Sequence, residues 1–268
     1  MISTAPADSS AGNIWKGRTD MLFYAITDKG QKRAHNEDYV FASDASVGAL
    51  PNLFLVADGM GGHNAGDVAS ETAVKVILEE VRKRKIKSPV KALEQAIYHA
   101  NKAIYECART DESMSGMGTT LVAATVVDNR LHVANVGDSR LYIVRGGELV
   151  QVTRDHSLVE EMLRSGTISE AAAEHHPAKH KITRAVGAEE DVRIDFFDEP
   201  MDDIRAIFLC TDGLSNMVDK EQIREVLTSS KKVKQKAERL VELANEGGGK
   251  DNITVLVIDS TSEEVKEC

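Results

Sequence analysis

The chain has 268 residues, enough for one large layered domain, and its 42% hydrophobic and 28% charged content is that of an ordinary globule. With 33 basic against 43 acidic side chains the net charge is −10, which disfavours a nucleic-acid binder working by phosphate neutralisation. No apolar run approaches the ~20 residues needed to span a bilayer, and Met1 to Asp20 lacks the basic-then-apolar pattern of a secretion signal.

Residues 1–20, rich in Ser, Ala, Gly and Asp, read as an N-terminal tail, and 260–268 as a C-terminal one. No linker divides 21–259, so a single domain is expected. Glu37-Asp38 leads into a short apolar stretch, Tyr39-Val40-Phe41. Three nearly continuous apolar runs, 53–57, 206–210 and 253–258, read as strands buried on both faces. Between the first two, 119–127, 131–136, 140–144 and 148–152 are separated by Asp128-Asn129, Gly137-Asp138 and Gly146-Gly147, the signature of an antiparallel meander. Helical spacing pairs 67–84 with 90–107 across Ser88-Pro89, and 220–227 with 233–246 ahead of Gly247-Gly248-Gly249. Strands buried on both faces need covering layers. The expected fold is therefore α+β, a four-layer α-β-β-α sandwich of two antiparallel sheets flanked by helix pairs.

The chemistry is carried by carboxylates at strand ends. Asp58-Gly59 closes the first buried strand, Asp212-Gly213 closes the second, and Asp251-Asn252 precedes the third, with Glu37-Asp38 upstream. Each alone is an ordinary turn signal. Together they matter, because central strands lying side by side bring their ends together. Carboxylates within ~5 Å repel by roughly 3 kcal/mol per pair at an effective dielectric of ~20, so such a cluster calls for protons or cations. An oxygen donor set without His or Cys selects Mg²⁺ or Mn²⁺ over zinc, and an Asp shared by two ions suits a two-metal hydrolase. Arg33, four residues before Glu37, has the planar fork that grips phosphate oxygens, although most such arginines serve only as surface ion pairs.

Other chemistries fail on spacing. The glycine-dense 59–66 stretch lacks the Gly-Lys-Ser/Thr of a Walker loop, and so does Gly248-Gly249-Lys250. Neither Cys107 nor Cys210 has an arginine six residues on, where Ser113 and Asn216 stand, and Ser139 and Ser215 lack nucleophile-elbow glycines. The three cysteines, Cys268 included, are too few and too irregular for a disulfide framework or zinc site, which fits a reduced cytoplasmic protein. Asn252-Ile253-Thr254 matches a glycosylation sequon without a secretory context. Basic residues 82–85 suit a helix C-terminus. Of the histidines, His156, His175, His176 and His180 surround a polar segment, and His63 is the candidate for proton transfer.

Six ordered motifs carry a family resemblance: Thr27-Asp28-x-Gly30-x-x-Arg33-x-x-Asn36-Glu37-Asp38, Asp58-Gly59-Met60-Gly61-Gly62-His63, Gly118-Thr119-Thr120, Gly137-Asp138-Ser139-Arg140, Thr211-Asp212-Gly213-Leu214 and Lys250-Asp251-Asn252-Ile253-Thr254. Over residues 21 to 259 the chain resembles the metal-dependent type 2C (PPM-type) serine/threonine protein phosphatases, in their bacterial branch. The resemblance implies two Mn²⁺ or Mg²⁺ ions bridged by Asp58, with the Gly59 carbonyl completing one site and Asp212 and Asp251 the other. It implies Glu37 and Asp38 acting partly through water, Asp138 joining Asp212 at a weaker third site, and Arg33 on the substrate phosphate. It also implies a substrate-selecting flap at about 158–184, and partners that are phosphorylated proteins, including a serine/threonine kinase and its substrates. A monomer is expected. One departure stands out: Met60 occupies the position where other members carry a histidine after the metal-binding Asp-Gly, so the general acid has no assigned residue. Two other readings stay open at this level: a scaffold that kept the fold without catalysis, and a two-metal esterase for nucleotides or other small phosphates.

Overall fold

The computed structural model describes residues 21–62, 65–174, 176–178 and 180–259. The expected tails at 1–20 and 260–268 lie outside the described residues, as do His63, His175 and Cys268. In chain order the elements are β1 (Leu22–Asp28), β2 (Asp38–Ser43), β3 (Leu53–Met60), α1 (Ala65–Lys83), α2 (Pro89–Thr110), β4 (Gly118–Thr119), β5 (Leu121–Val127), β6 (Arg130–Val136), β7 (Arg140–Arg145) and β8 (Glu148–Gln151). There follow α3 (Leu158–Arg164), α4 (Glu170–Glu174), β9 (Asp195–Pro200), β10 (Ile204–Cys210), α5 (Asp212–Ser215), α6 (Lys220–Thr228), α7 (Val233–Glu246) and β11 (Ile253–Asp259).

Two antiparallel sheets result. One runs β1-β11-β10-β7-β8; the other runs β2-β3-β5-β6-β9, with β4 paired to β3. The period-2 geometry of strands explains the four layers. On β3, Leu53, Leu55 and Ala57 pack under α1 and α2 against Ile77, Leu93 and Ile97, while Phe54 and Val56 point into the inter-sheet core. On β10, Ile207 and Leu209 meet that same central core, and Phe208 faces Ile223 and Leu240 of α6 and α7. β11 divides likewise between Leu256 and Ile258 inward and Val255 and Val257 toward the helices. A strand covered on both faces has to be apolar at every position, which is why these three runs do not alternate.

The meander reading is corrected. β5 and β6 belong to one sheet and β7 and β8 to the other, so the chain crosses the sandwich at residues 137–139. The hinge is Gly137, at φ +105°, where a Cβ would stand 2.6 Å from that of Thr120. Local spacing could not reveal the switch, because a turn within a sheet and a crossing between sheets use the same Gly-Asp chemistry. β1 and β9 were not foreseen: their residues are mostly half-buried, and β1 is assembled as an edge by pairing with β11, Thr27 opposite Thr254. The region expected as a flap holds α3 and α4 and is closed at its neck by a bridge between Ser157 and Ile182 and by the Leu158 amide donating to the Lys181 carbonyl (2.9 Å).

Candidate active site

At one end of the sandwich lies a cleft of about 550 Å³ whose walls include Arg33, Glu37, Asp58, Asp138, His180, Asp212 and Asp251. The acidic residues arrive from both sheets. Asp58 is near the end of β3 and directly opposite Asp38, the first residue of β2. Asp212 opens α5 at the end of β10, and Asp251 sits in the turn before β11, in the facing sheet. Asp138 rides on the crossover. The expectation that strand neighbours gather these ends holds for Asp38 and Asp58 on β2 and β3 and for Asp212 and Asp251 beside β10 and β11; the approach of the first pair to the second is made across the interface between the two sheets.

The loop from β1 to β2 that carries Arg33 and Glu37 is held by Asn252. Its Nδ2 donates to the carbonyls of Lys29 (2.9 Å) and His35 (2.9 Å), and its Oδ1 accepts from the Glu37 amide (2.9 Å). Gly30, at φ +73°, lets the same loop pass so close to Asp251 that a Cβ would lie 2.2 Å from its carbonyl oxygen. Gly59 is squeezed between the Gly66 and Glu37 carbonyls, 1.9 and 2.6 Å from where its Cβ would be, and donates to the Glu37 carbonyl at 3.0 Å. The Arg33 guanidinium stands 2.7 Å from Asp251 Oδ2 and 3.8 Å from Glu37 Oε2, half-exposed at the mouth.

Burial and mutual repulsion dominate the electrostatics. Desolvation, then Asp38, Asp212, Asp138 and Asp251, hold the Asp58 carboxyl well above the usual carboxylate range. Asp38 is pushed up to about 7 by burial, against hydrogen bonds to its Oδ2 from Thr254 (2.7 Å) and Thr211 (2.9 Å). Asp138 also reaches about 7, through burial and then Asp212. Asp212 is raised by burial and by Asp251, and Glu37 chiefly by burial. The other Asp38 oxygen, Oδ1, is buried with no hydrogen-bond partner among the described residues. An orphaned buried acceptor within an all-oxygen, net negative donor set fits a hard divalent cation. Among the described residues, however, no three His, Cys, Asp or Glu side chains already stand as a finished cation cage. Burial pushes the Cys210 thiol up, which removes it as a nucleophile.

The histidines separate. His180 lines the cleft, its Nδ1 4.0 Å from Asp212 Oδ2, whereas His156 is buried and hydrogen-bonded outside the cleft, and His63 is not among the described residues. In sequence, Asn252, Thr211 and Thr254 stand only as members of motifs, with no role of their own; the structure gives Asn252 the fastening of the Arg33 loop and the two threonine hydroxyls the hydrogen bonds to Asp38. The available signal is a polar residue immediately before a buried strand; its partners, at Lys29, His35 and Glu37, lie more than two hundred residues away in sequence. A two-sheet sandwich whose crowded acids and flanking arginine meet in one cleft is an arrangement suited to metal-assisted phosphoryl hydrolysis.

The comparisons give the family. The protein phosphatase 2C model matches residues 27–248. The serine/threonine phosphatase stp of Listeria monocytogenes is 41% identical over 242 residues, covering 87% of this chain and 93% of that protein. Among solved structures, the serine/threonine phosphatase PstP/Ppp of Mycobacterium tuberculosis superposes with a TM-score of 0.80 at 36% identity, covering 89% of this chain and 98% of that one. The catalytic domain of PstP in complex with two manganese ions gives 0.76 at 35%, covering 89% and 97%. The chain belongs to the protein phosphatase 2C family.

Proposed function

We infer that this protein is a serine/threonine protein phosphatase that hydrolyses phosphoserine and phosphothreonine monoesters and so reverses serine/threonine kinase signalling. The observation that carries the reading is the meeting of Asp58, Asp138, Asp212 and Asp251 from both sheets in one cleft, with buried Asp38 beside Asp58 and a half-exposed arginine at the mouth. Asp58, placed between the other acids, would bridge two Mn²⁺ or Mg²⁺ ions. The Gly59 carbonyl would complete one site, Asp212 and Asp251 the other, with Glu37 and Asp38 acting partly through water and Asp138 with Asp212 holding a weaker third ion. When bound, the cations supply positive charge for the phosphoryl oxygens and acidify the water that attacks phosphorus.

The chain's own residues do the rest. Arg33 swings from Asp251 to the phosphate, where its fork matches two oxygens and the rising negative charge of the transition state. Asn252 and Gly30 keep the Arg33 loop against the Asp251 turn, so that the arginine and the acids act on one phosphate. Met60 lines the cleft without a titratable proton, so the leaving alkoxide takes its proton from elsewhere, His63 being the candidate in sequence. The catalytic unit is residues 21–259 with a flap at about 158–184, working as a cytoplasmic monomer on phosphorylated proteins, a kinase and its substrates among them, and on neither nucleic acid nor membrane. Cys107 and Cys210, both free thiols, suit a reducing compartment.

The test is a substrate comparison in Mn²⁺: phosphothreonine and phosphoserine peptides, an aryl phosphate and a nucleoside triphosphate. Faster turnover of the peptides than of the nucleotide is expected. Hydrolysis of the nucleotide alone would make the chain a small-phosphate esterase, and silence on all four would make it a scaffold.

A further inference from the structure

His156 lies outside the cleft and joins the crossover to the neck of the flap. It is 5% exposed. Its Nδ1 accepts from the Gly137 amide (3.0 Å), while its own amide donates to the Gly137 carbonyl (2.9 Å), so residues 156 and 137 are joined twice. Its carbonyl accepts from the Thr183 amide (2.8 Å) on the returning arm of the flap neck. The ring's far side faces Asp195 Oδ2 at 3.1 Å. Arg184 Nη1 stands 3.2 Å from Nε2 and donates to Asp195 Oδ1 at 2.9 Å.

These contacts dictate a tautomer. A guanidinium only donates, and Nδ1 is already an acceptor, so the ring proton sits on Nε2 and is directed at Asp195. Asp195 thus receives the two donors side by side, and β9 anchors the imidazole. Next along the chain, Asp155 accepts the Arg140 guanidinium through both oxygens (2.6 to 3.0 Å), closing the other end of the crossover on the same segment. Asp138 lies between these two fastenings, at Gly137 and at Arg140. Nothing else described holds the Gly137 amide.

We propose that His156 is a positioning residue: through Gly137 it sets the placement of Asp138, and through Thr183 it couples that placement to the flap neck. The coupling of His156 to the crossover stands on the geometry above; its effect on cation binding rests on the reading of Asp138 as a ligand of the weaker third ion. Partners one bond removed from a ligand change cation affinity by about 10- to 100-fold when lost.

Two substitutions divide the ring's roles. His156→Asn keeps an oxygen near the Nδ1 position for the Gly137 amide and loses Asp195; His156→Gln keeps reach toward Asp195 and loses Gly137. In the full chain, calorimetric titration with Mn²⁺ should show the weakest binding event of H156Q displaced at least about tenfold to higher concentration, with the tighter events unmoved. Amide exchange at Gly137 and Thr183 should be faster in H156Q. H156N should restore both. Asp138→Asn serves as the reference and should abolish the weakest event. If D138N leaves that event intact, the ligand reading of Asp138 fails, and exchange alone then decides: faster exchange in H156Q supports the coupling, unchanged exchange overturns it. Loss of the event in D138N with no displacement in H156Q overturns the proposal outright, as does an H156N variant no better than H156Q.

Discussion

Two buried carboxylates at opposite ends of the same sandwich meet opposite fates. Asp259, the last residue of β11, is 2% exposed and paired with the ammonium of Lys236, itself 1% exposed, from the first turn of α7. Asp38, 7% exposed beside the start of β11, has two threonine hydroxyls on one oxygen, no partner among the described residues on the other, and aspartates for neighbours. The two ends of β11 are roughly 20 Å apart at ~3.3 Å per residue. One end carries its counter-charge within the chain and is finished when the protein folds. The other leaves a buried negative charge whose natural complement comes from outside the chain. A structural ion pair and a functional acid cluster are thus separated by what neutralises them rather than by burial.

That contrast can be broken most severely at the cleft. Asp58→Ala and Asp212→Ala should each lower metal-dependent hydrolysis of a phosphothreonine peptide by about a thousandfold, since electrostatic help of several kcal/mol is lost at ~1.4 kcal/mol per decade. Either variant turning over at the wild-type rate in saturating Mn²⁺ would remove the site assignment. At the other end, Lys236→Met strands the Asp259 carboxylate and should cost about 3–5 kcal/mol in denaturant unfolding, with the catalytic constants of the remaining folded protein unchanged. Asp38→Asn, measured in chelator, should do the reverse and leave stability equal or higher; a loss as large as that of K236M would erase the distinction between the two ends.

The pH dependence sharpens the comparison. Asp38 and Asp138 are raised from an ordinary 3.8 to about 7 in the folded protein. Between those values the folded state binds more protons than the unfolded one, so without cations stability is greatest below pH 4 on this account and falls as pH rises through 7. Saturating Mn²⁺ should reverse the slope, because cations bind the deprotonated acids. A melting temperature that rises from pH 5 to 8 in chelator would contradict the electrostatics of the cleft. The smallest effect is expected for Arg33→Ala, a rise in KM of about tenfold for a phosphopeptide with kcat changed less; an unchanged KM together with an unchanged kcat/KM would take Arg33 off the phosphate.

Much of this was written in the chain. Three unbroken apolar runs imply strands covered on both sides, and two helix pairs supply the covers, so four layers follow from composition and period alone. Asp58, Asp212 and Asp251 were also legible, because each stands beside a turn glycine or asparagine at a strand end. Tertiary structure decided which ends meet. Gly137 sends β7 into the other sheet, β3 faces β10 and β11 across the interface, and Asn252 fastens a loop more than two hundred residues away. Tertiary structure also decided that His156 is a buried anchor while His180 faces the cleft. Local pattern encodes burial and turn chemistry, which depend on a residue's near neighbours. The partner a polar side chain finds depends on distant chain segments, and only the closed sandwich brings those segments within hydrogen-bonding reach.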